Sequence, residues 1–210
     1  MAFADVIDYD AINHPVLPES AAAPHPTRPR LLLIGSALAS LAVVMGFSAL
    51  VGLYLSVRAD VIASGEQWLP NGVDIPLTQP NMMMFTLVFS VATLAWATSA
   101  MRADDRPNSY IAIGLSVLFG FAFLAQTAFL LSIMELEIAA DGRAPLIYAV
   151  IGTHMVLVIA AMTYLAAMAL RALGGDYSAK DLEGLYGASM FWYTTVGLYL
   201  VLWYAIYITK

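Results

Sequence analysis

Residues 31–57 read LLLIGSALASLAVVMGFSALVGLYLSV, 27 consecutive residues without an Asp, Glu, Lys or Arg, held between Arg30 and Arg58. About 20 predominantly apolar residues are enough for a helix to cross roughly 30 Å of hydrocarbon, so this stretch holds one crossing with a few residues to spare. The same event recurs four times. Uncharged gaps run from Asp74 to Arg102 (27 residues), Arg106 to Glu135 (28), Arg143 to Arg171 (27) and Glu183 to Lys210 (26). In lipid, backbone polar groups must be satisfied within a span or by barrel closure, and no ten-residue alternation of barrel strands is present. Each gap therefore predicts a helix. The expected architecture is an all-α integral membrane protein, five transmembrane helices in a bundle, near residues 31–57, 81–101, 108–134, 145–171 and 187–209.

Composition agrees with that reading. Of 210 residues, 61% are apolar and 11% charged, and the mean hydropathy is +0.78. Soluble domains carry roughly 25% charged residues, so a water-exposed surface cannot be built from this chain. Soluble enzymes, secreted scaffolds and disordered chains are excluded. There is no Cys, hence no disulfide framework, thiolate metal site or iron–sulfur cluster. Net charge is −6 with nine basic residues spread thinly. A nucleic-acid face would need a basic stripe, and none is present.

Residues 1–30 differ from the rest. They hold Asp5, Asp8, Asp10 and Glu19 and a run of Ala and Pro without period, which predicts an extended acidic, Pro-rich tail on the membrane surface or a partner. The acidic start and the lack of a short apolar core make a secretory signal the wrong reading. The stretch from Asp60 to Pro80, with Trp68, Pro70, Asn71, Gly72 and Pro76, is expected to form a packed cap over one end of the bundle. Lys and Arg number six on the side of the tail (Arg28, Arg30, Arg102, Arg106, Arg171, Lys180) and three on the other (Arg58, Arg143, Lys210). Basic residues favour the cytoplasm, so the N-terminus is expected inside and the C-terminus outside.

The spans themselves are poor in chemistry. None carries an Asp, Glu, Lys or Arg near its middle, whereas pumps, ion-coupled transporters and voltage sensors keep ionisable groups there. Of three histidines only His154 lies in a span, too few for a bis-His haem or a three-His metal site. Met82, Met83 and Met84 suit Cu(I) by chemistry, but read more simply as an apolar run. No catalytic, cofactor or metal residue is therefore expected. What remains are contact residues. Ser36, Ser40, Ser48 and Gly52 recur in fours along the first span, with Val44 between, a small-residue stripe that would admit another helix. Gly114, Ser116 and Gly120 offer the same in the third. Gln126, His154 and Trp192 are candidate interhelical, lipid or subunit contacts. The central aromatics of the last span (Trp192, Tyr193, Tyr199) are expected to face lipid or a neighbouring subunit.

The order of local motifs resembles subunit III of the haem-copper cytochrome c oxidases, in the short five-helix form of many bacteria. Residues 54–59 (YLSVRA) are similar to the family's Tyr-x-x-x-Arg-Ala exit, and 68–77 (WLPNGVDIPL) to its Trp-x-Pro…Leu-Pro-Leu loop. Pro80-Asn81 opens the second span, and Ala97 and Arg102 close it. Gly114-Leu115 and Gln126 mark the third, Gly152-Thr-His154 and Leu170-Arg171-Ala172 the fourth, Phe191-Trp192 and Ile206-Tyr207-Ile208 the last. The likeness covers about residues 30–210. The family's intramembrane polar positions are replaced here by Val43, Phe129, Leu157, Tyr193 and Val196.

This resemblance implies a non-catalytic accessory subunit of an aa3-type oxidase in the aerobic respiratory chain. It would lie in a bacterial inner membrane as a multi-pass protein, packed against subunit I and assembled with subunits I and II, or in a respiratory supercomplex. Haem and copper would reside in the partners, structural phospholipid in a cleft between helices, and the chain would support proton uptake and enzyme longevity. Two alternatives stay open: an accessory protein of a nitric oxide reductase or other respiratory assembly, and a stand-alone carrier for a small solute. A lipid-modifying enzyme is disfavoured, since Glu135, Glu137 and Asp141 read as solvated loop charges.

Overall fold

The computed structural model describes residues 30–69, 75–134, 136, 143–175, 177 and 181–209. The chain runs through five long helices: α1 Leu31–Ala63, α2 Thr78–Arg102, α3 Arg106–Ile133, α4 Ala144–Leu173 and α5 Glu183–Leu202, the last continuing through a wider π-helical turn, Trp203–Ile208. All five are long and apolar enough to cross a membrane. The expected tail, apart from Arg30, and the centre of the Pro-rich loop (Pro70, Asn71, Gly72) lie outside the described residues.

The helices overrun the uncharged gaps at five of their ten ends. Arg58 and Asp60 lie inside α1, which ends at Ala63; Gly65 just beyond the cap has a φ of +84°, which suits a residue without a Cβ. A charge marks where hydrocarbon ends; a helix ends where its backbone finds another partner. Between α2 and α3 the turn is three residues long. Asp104 takes a positive φ of 57° there, Asp105 accepts a bond from the Asn108 N–H at 3.4 Å, and Pro107 lies in the first turn of α3.

Side-chain pairs set the directions of packing. Leu33 N–H donates to Glu183 at 3.1 Å, so α1 and α5 start at the same end of the bundle. Arg102, closing α2, bonds Tyr186 near the start of α5, and Tyr110 in α3 donates to the Ala172 carbonyl of α4 at 3.0 Å. Arg30, Arg102, Arg106 and Arg171 thus gather at one end. At the other end Arg143 clamps Glu66 and the Gln67 carbonyl, Trp68 donates to Tyr54 at 3.0 Å, and Trp68 and Ile75 are buried. The flanks of the expected cap are packed down.

α5 is the central helix, touching α1, α2 and α4; 44% of an apolar 18-residue stretch of it is buried inside the chain, against 17% of the corresponding stretch of α1. The expectation that its central aromatics face outward is corrected for two of the three. Trp192 and Tyr199 are 1% exposed, and Tyr193 is half-buried. The π-turn keeps Tyr207 inside, while Tyr204 points out. A helix touched on three sides has little face left for lipid, and large rings fill the gaps between its neighbours. The outward surface is instead Leu38, Met45, Phe85, Leu118, Phe121 and Val156, each more than half exposed. Met82, Met83 and Met84 diverge at about 100° per residue: Met83 is buried and Met82 faces out.

Candidate functional site

His154 lies where α1, α3, α4 and α5 meet. Its ring centroid is 6.0 Å from that of Phe47, 5.5 Å from Phe123 and 5.4 Å from Tyr199, and the residue is 1% exposed. Nε2 is 3.0 Å from the Thr195 carbonyl of α5. A carbonyl can only accept, so Nε2 carries the proton. Thr195 Oγ1 donates to the Phe191 carbonyl at 3.0 Å, and the second lone pair of the Thr195 carbonyl serves the histidine. The arrangement joins α4 to α5 in a dry aromatic cage. Phe47 and Phe123 carried no signal in the sequence beyond being apolar; that they wall a histidine depends on how the helices cross.

Trp192 builds a second junction. Its Nε1 donates to Ser90 of α2 at 3.0 Å, and Ser90 in turn donates to the Leu87 carbonyl at 2.6 Å. The indole edge passes beside Gly120 of α3. A Cβ added at Gly120 would lie 2.9 Å from the ring and 2.7 Å from the Met162 sulfur, so this glycine is there for close approach. Ser116 of the same helix face pairs with Thr93 at 2.8 Å, whereas Gly114 faces out.

The small-residue stripe of α1 divides. Ser36 and Ser40 are buried; Ser48 and Gly52 face outward. A step of four residues overshoots a helical turn by about 40°, so four steps carry the row roughly 160° around the helix. The face that packs is Ser36, Ser40, Phe47, Val51 and Tyr54. Ser36 donates to the Leu32 carbonyl and accepts from Tyr164 at 2.8 Å. Gly187 of α5 comes so close that a Cβ there would lie 2.6 Å from the Ser36 hydroxyl. Gly187 and Tyr164 were missed by the sequence reading. Their signal, a glycine and a tyrosine on apolar helices, is too common to single out. Beside this contact a groove of about 410 Å³ opens between α1, α4 and α5, walled by Leu31, Leu32, Ala39, Ala160 and Phe191 with the Ser36–Tyr164 hydroxyls at its polar spot.

Gln126 is half-buried on α3, its Oε1 3.2 Å from Thr86 Oγ1 of α2. Among the described residues no group of three or more His, Asp or Glu is placed to hold a metal ion.

The family model for cytochrome c oxidase subunit III matches residues 30–210, the whole bundle. The chain belongs to the cytochrome c oxidase subunit III family. Relatives named cytochrome c oxidase subunit 3 include that of Struthio camelus, 26% identical over 145 residues, 68% of this chain and 56% of the relative. The protein of Strongylocentrotus purpuratus is 27% identical over 154 residues, 72% of this chain and 59% of its own. That of Carassius auratus is 26% identical over 156 residues, 73% and 60% respectively. The chain thus spans under two thirds of the length of these subunit III relatives. The His154, Trp192 and Gln126 contacts lie within the matched bundle.

Proposed function

We propose that this chain is the non-catalytic subunit III of an aa3-type cytochrome c oxidase in a bacterial inner membrane. It packs against subunit I, in a complex that also holds subunit II, retains lipid, and supports proton uptake and the working life of the enzyme. The observation that carries this reading is the family match across all five helices of the bundle, whose most prominent buried polar side chains bond within the chain. His154 is committed to Thr195, Trp192 to Ser90, and Tyr199 to the Pro80 carbonyl at 2.9 Å. Such a chain contributes shape and rigidity, while haem and copper belong to its partners.

The groove between α1, α4 and α5 supports lipid retention. Its walls are apolar over most of their area, and the Tyr164 hydroxyl oxygen, its proton given to Ser36, can accept a hydrogen bond from a headgroup donor. The end carrying Arg30, Arg102, Arg106 and Arg171 is assigned to the cytoplasm on the basic-residue excess. The test is extraction of the native membrane in mild detergent through an affinity tag on this chain. Larger subunits carrying haem a, seen in the reduced-minus-oxidised spectrum and by mass spectrometry, are expected with it. Recovery of the chain alone, active in solute uptake after reconstitution, would overturn the assignment.

A further inference from the structure

Beneath the cap, at the end of the bundle opposite Arg102, Arg106 and Arg171, three polar side chains lie together without bonding one another. Tyr207, in the π-turn that ends α5, is fully buried, and its hydroxyl has no partner among the described residues. Nε of Arg58 is also shut away from solvent and unbonded there, and Arg58 forms no ion pair among the described residues. Tyr54 lies one turn before Arg58 on the same side of α1 and is 1% exposed. It accepts the Trp68 indole proton at 3.0 Å. An indole nitrogen only donates, so the phenolic proton of Tyr54 is still to be placed. Tyr54 is within electrostatic reach of both Arg58 and Tyr207.

The backbone brings Tyr207 to this point. Over Trp203–Ile208 the helix widens, and the Thr209 N–H reaches back five residues to the Tyr204 carbonyl at 3.2 Å. Ala205, Ile206 and Tyr207 stay inside while Tyr204 faces out. Such π-turns are rare and concentrate at functional sites. The nearby aromatic side chains are bonded: Tyr199 donates to the Pro80 carbonyl at 2.9 Å and Trp203 to Asn81 at 2.9 Å. Only the Tyr207 hydroxyl among them is buried without a partner.

Burying unbonded polar groups is costly, a cationic N–H above all. Polar groups too far apart for a direct bond are where a bridging water belongs, and a buried water typically makes about three bonds. With Tyr54 and Tyr207 both closed in, the occupant must be small. We propose that one water molecule is bound between α1, α5 and the cap, accepting from Tyr54 Oη and Arg58 Nε and donating to Tyr207 Oη. It fastens the π-turn of α5 to the exit of α1 and, through Tyr54 and Trp68, to the cap.

The test is a density map of the protein purified from its native membrane, at a resolution that shows waters elsewhere in this chain. One compact peak is expected within about 3.2 Å of all three atoms. Tyr54→Phe and Tyr207→Phe should each lower the unfolding midpoint by a few degrees. The double variant should lose clearly less than the sum, because both hydroxyls bond the same molecule. Tyr164→Phe, which breaks the bond to Ser36 at the opposite end, should add in full to Tyr207→Phe. Strictly additive losses at Tyr54 and Tyr207, or a direct bond between their hydroxyls with no peak, overturn the proposal. So does a peak that grows when bromide replaces chloride in the buffer, which would assign a halide, or one continuous with a lipid phosphate.

Discussion

His154 and Gln126 are the two long polar side chains in the interior of the spans, and the bundle treats them in opposite ways. The histidine is closed in by Phe47, Phe123 and Tyr199 and bonded to Thr195. The glutamine sits on the outer rim of the α2–α3 seam with part of its amide unmet. One polar group is enclosed by the chain on all sides; the other bridges two helices at the half-buried rim of their contact. Burial alone decides which, because a polar atom in a low-dielectric medium must find its partner wherever the packing leaves it room.

The largest effect that would test this contrast is at His154. Replacing it with Ala removes the α4–α5 bond and opens a cavity in the aromatic cage, an expected loss of about 2–4 kcal/mol in stability. A thermal unfolding midpoint like that of the unmodified chain would show that the cage is not a structural node. Gly120→Val probes the two faces of α3, since Gly120 points inward against Trp192 while Gln126 is half-buried toward α2. Overpacking should cost roughly 1–3 kcal/mol, read in the same melt, while Gln126→Leu, which removes a single bond to Thr86, should cost no more than about 1 kcal/mol.

A smaller loss is expected at Trp192→Phe, about 1 kcal/mol for the lost bond to Ser90 plus a little packing. Combining it with Ser90→Ala should cost less than the two singles added, because both remove one interaction. Strict additivity would mean that the indole and the hydroxyl do not act as a pair. Smallest of all, Thr163→Val should change stability by less than ~0.5 kcal/mol. Its hydroxyl faces outward and bonds only the Ile159 carbonyl of its own helix at 2.8 Å. A large effect there would mean that this outward face carries a partner.

Much of the candidate site could be named in advance but not sorted. Rarity drew attention to Gln126 and His154, and aromatic crowding to Trp192. The stripe of Ser36, Ser40, Ser48 and Gly52 shows why naming is not placing. A period of four differs from 3.6 by little over one turn and by nearly half a circle over four, so two of the four residues pack inside and two do not. Gly187, Tyr164, Ser90 and Thr195 carried no distinguishing signal. Their roles come from close approach between helices 41 to 151 residues apart along the chain.

The number and position of the helices follow from the residues alone, since hydrocarbon admits uncharged helical spans and little else, and five stretches meet that condition. The ordered motifs also sufficed to place the chain beside subunit III. Which residues face in was decided by tertiary structure alone. In lipid the inside of a bundle is no more apolar than its outside, so hydropathy does not distinguish the two. Only the crossing of the helices, and the close contacts that Gly120 and Gly187 permit, settle whether a polar side chain is closed in or left at the rim.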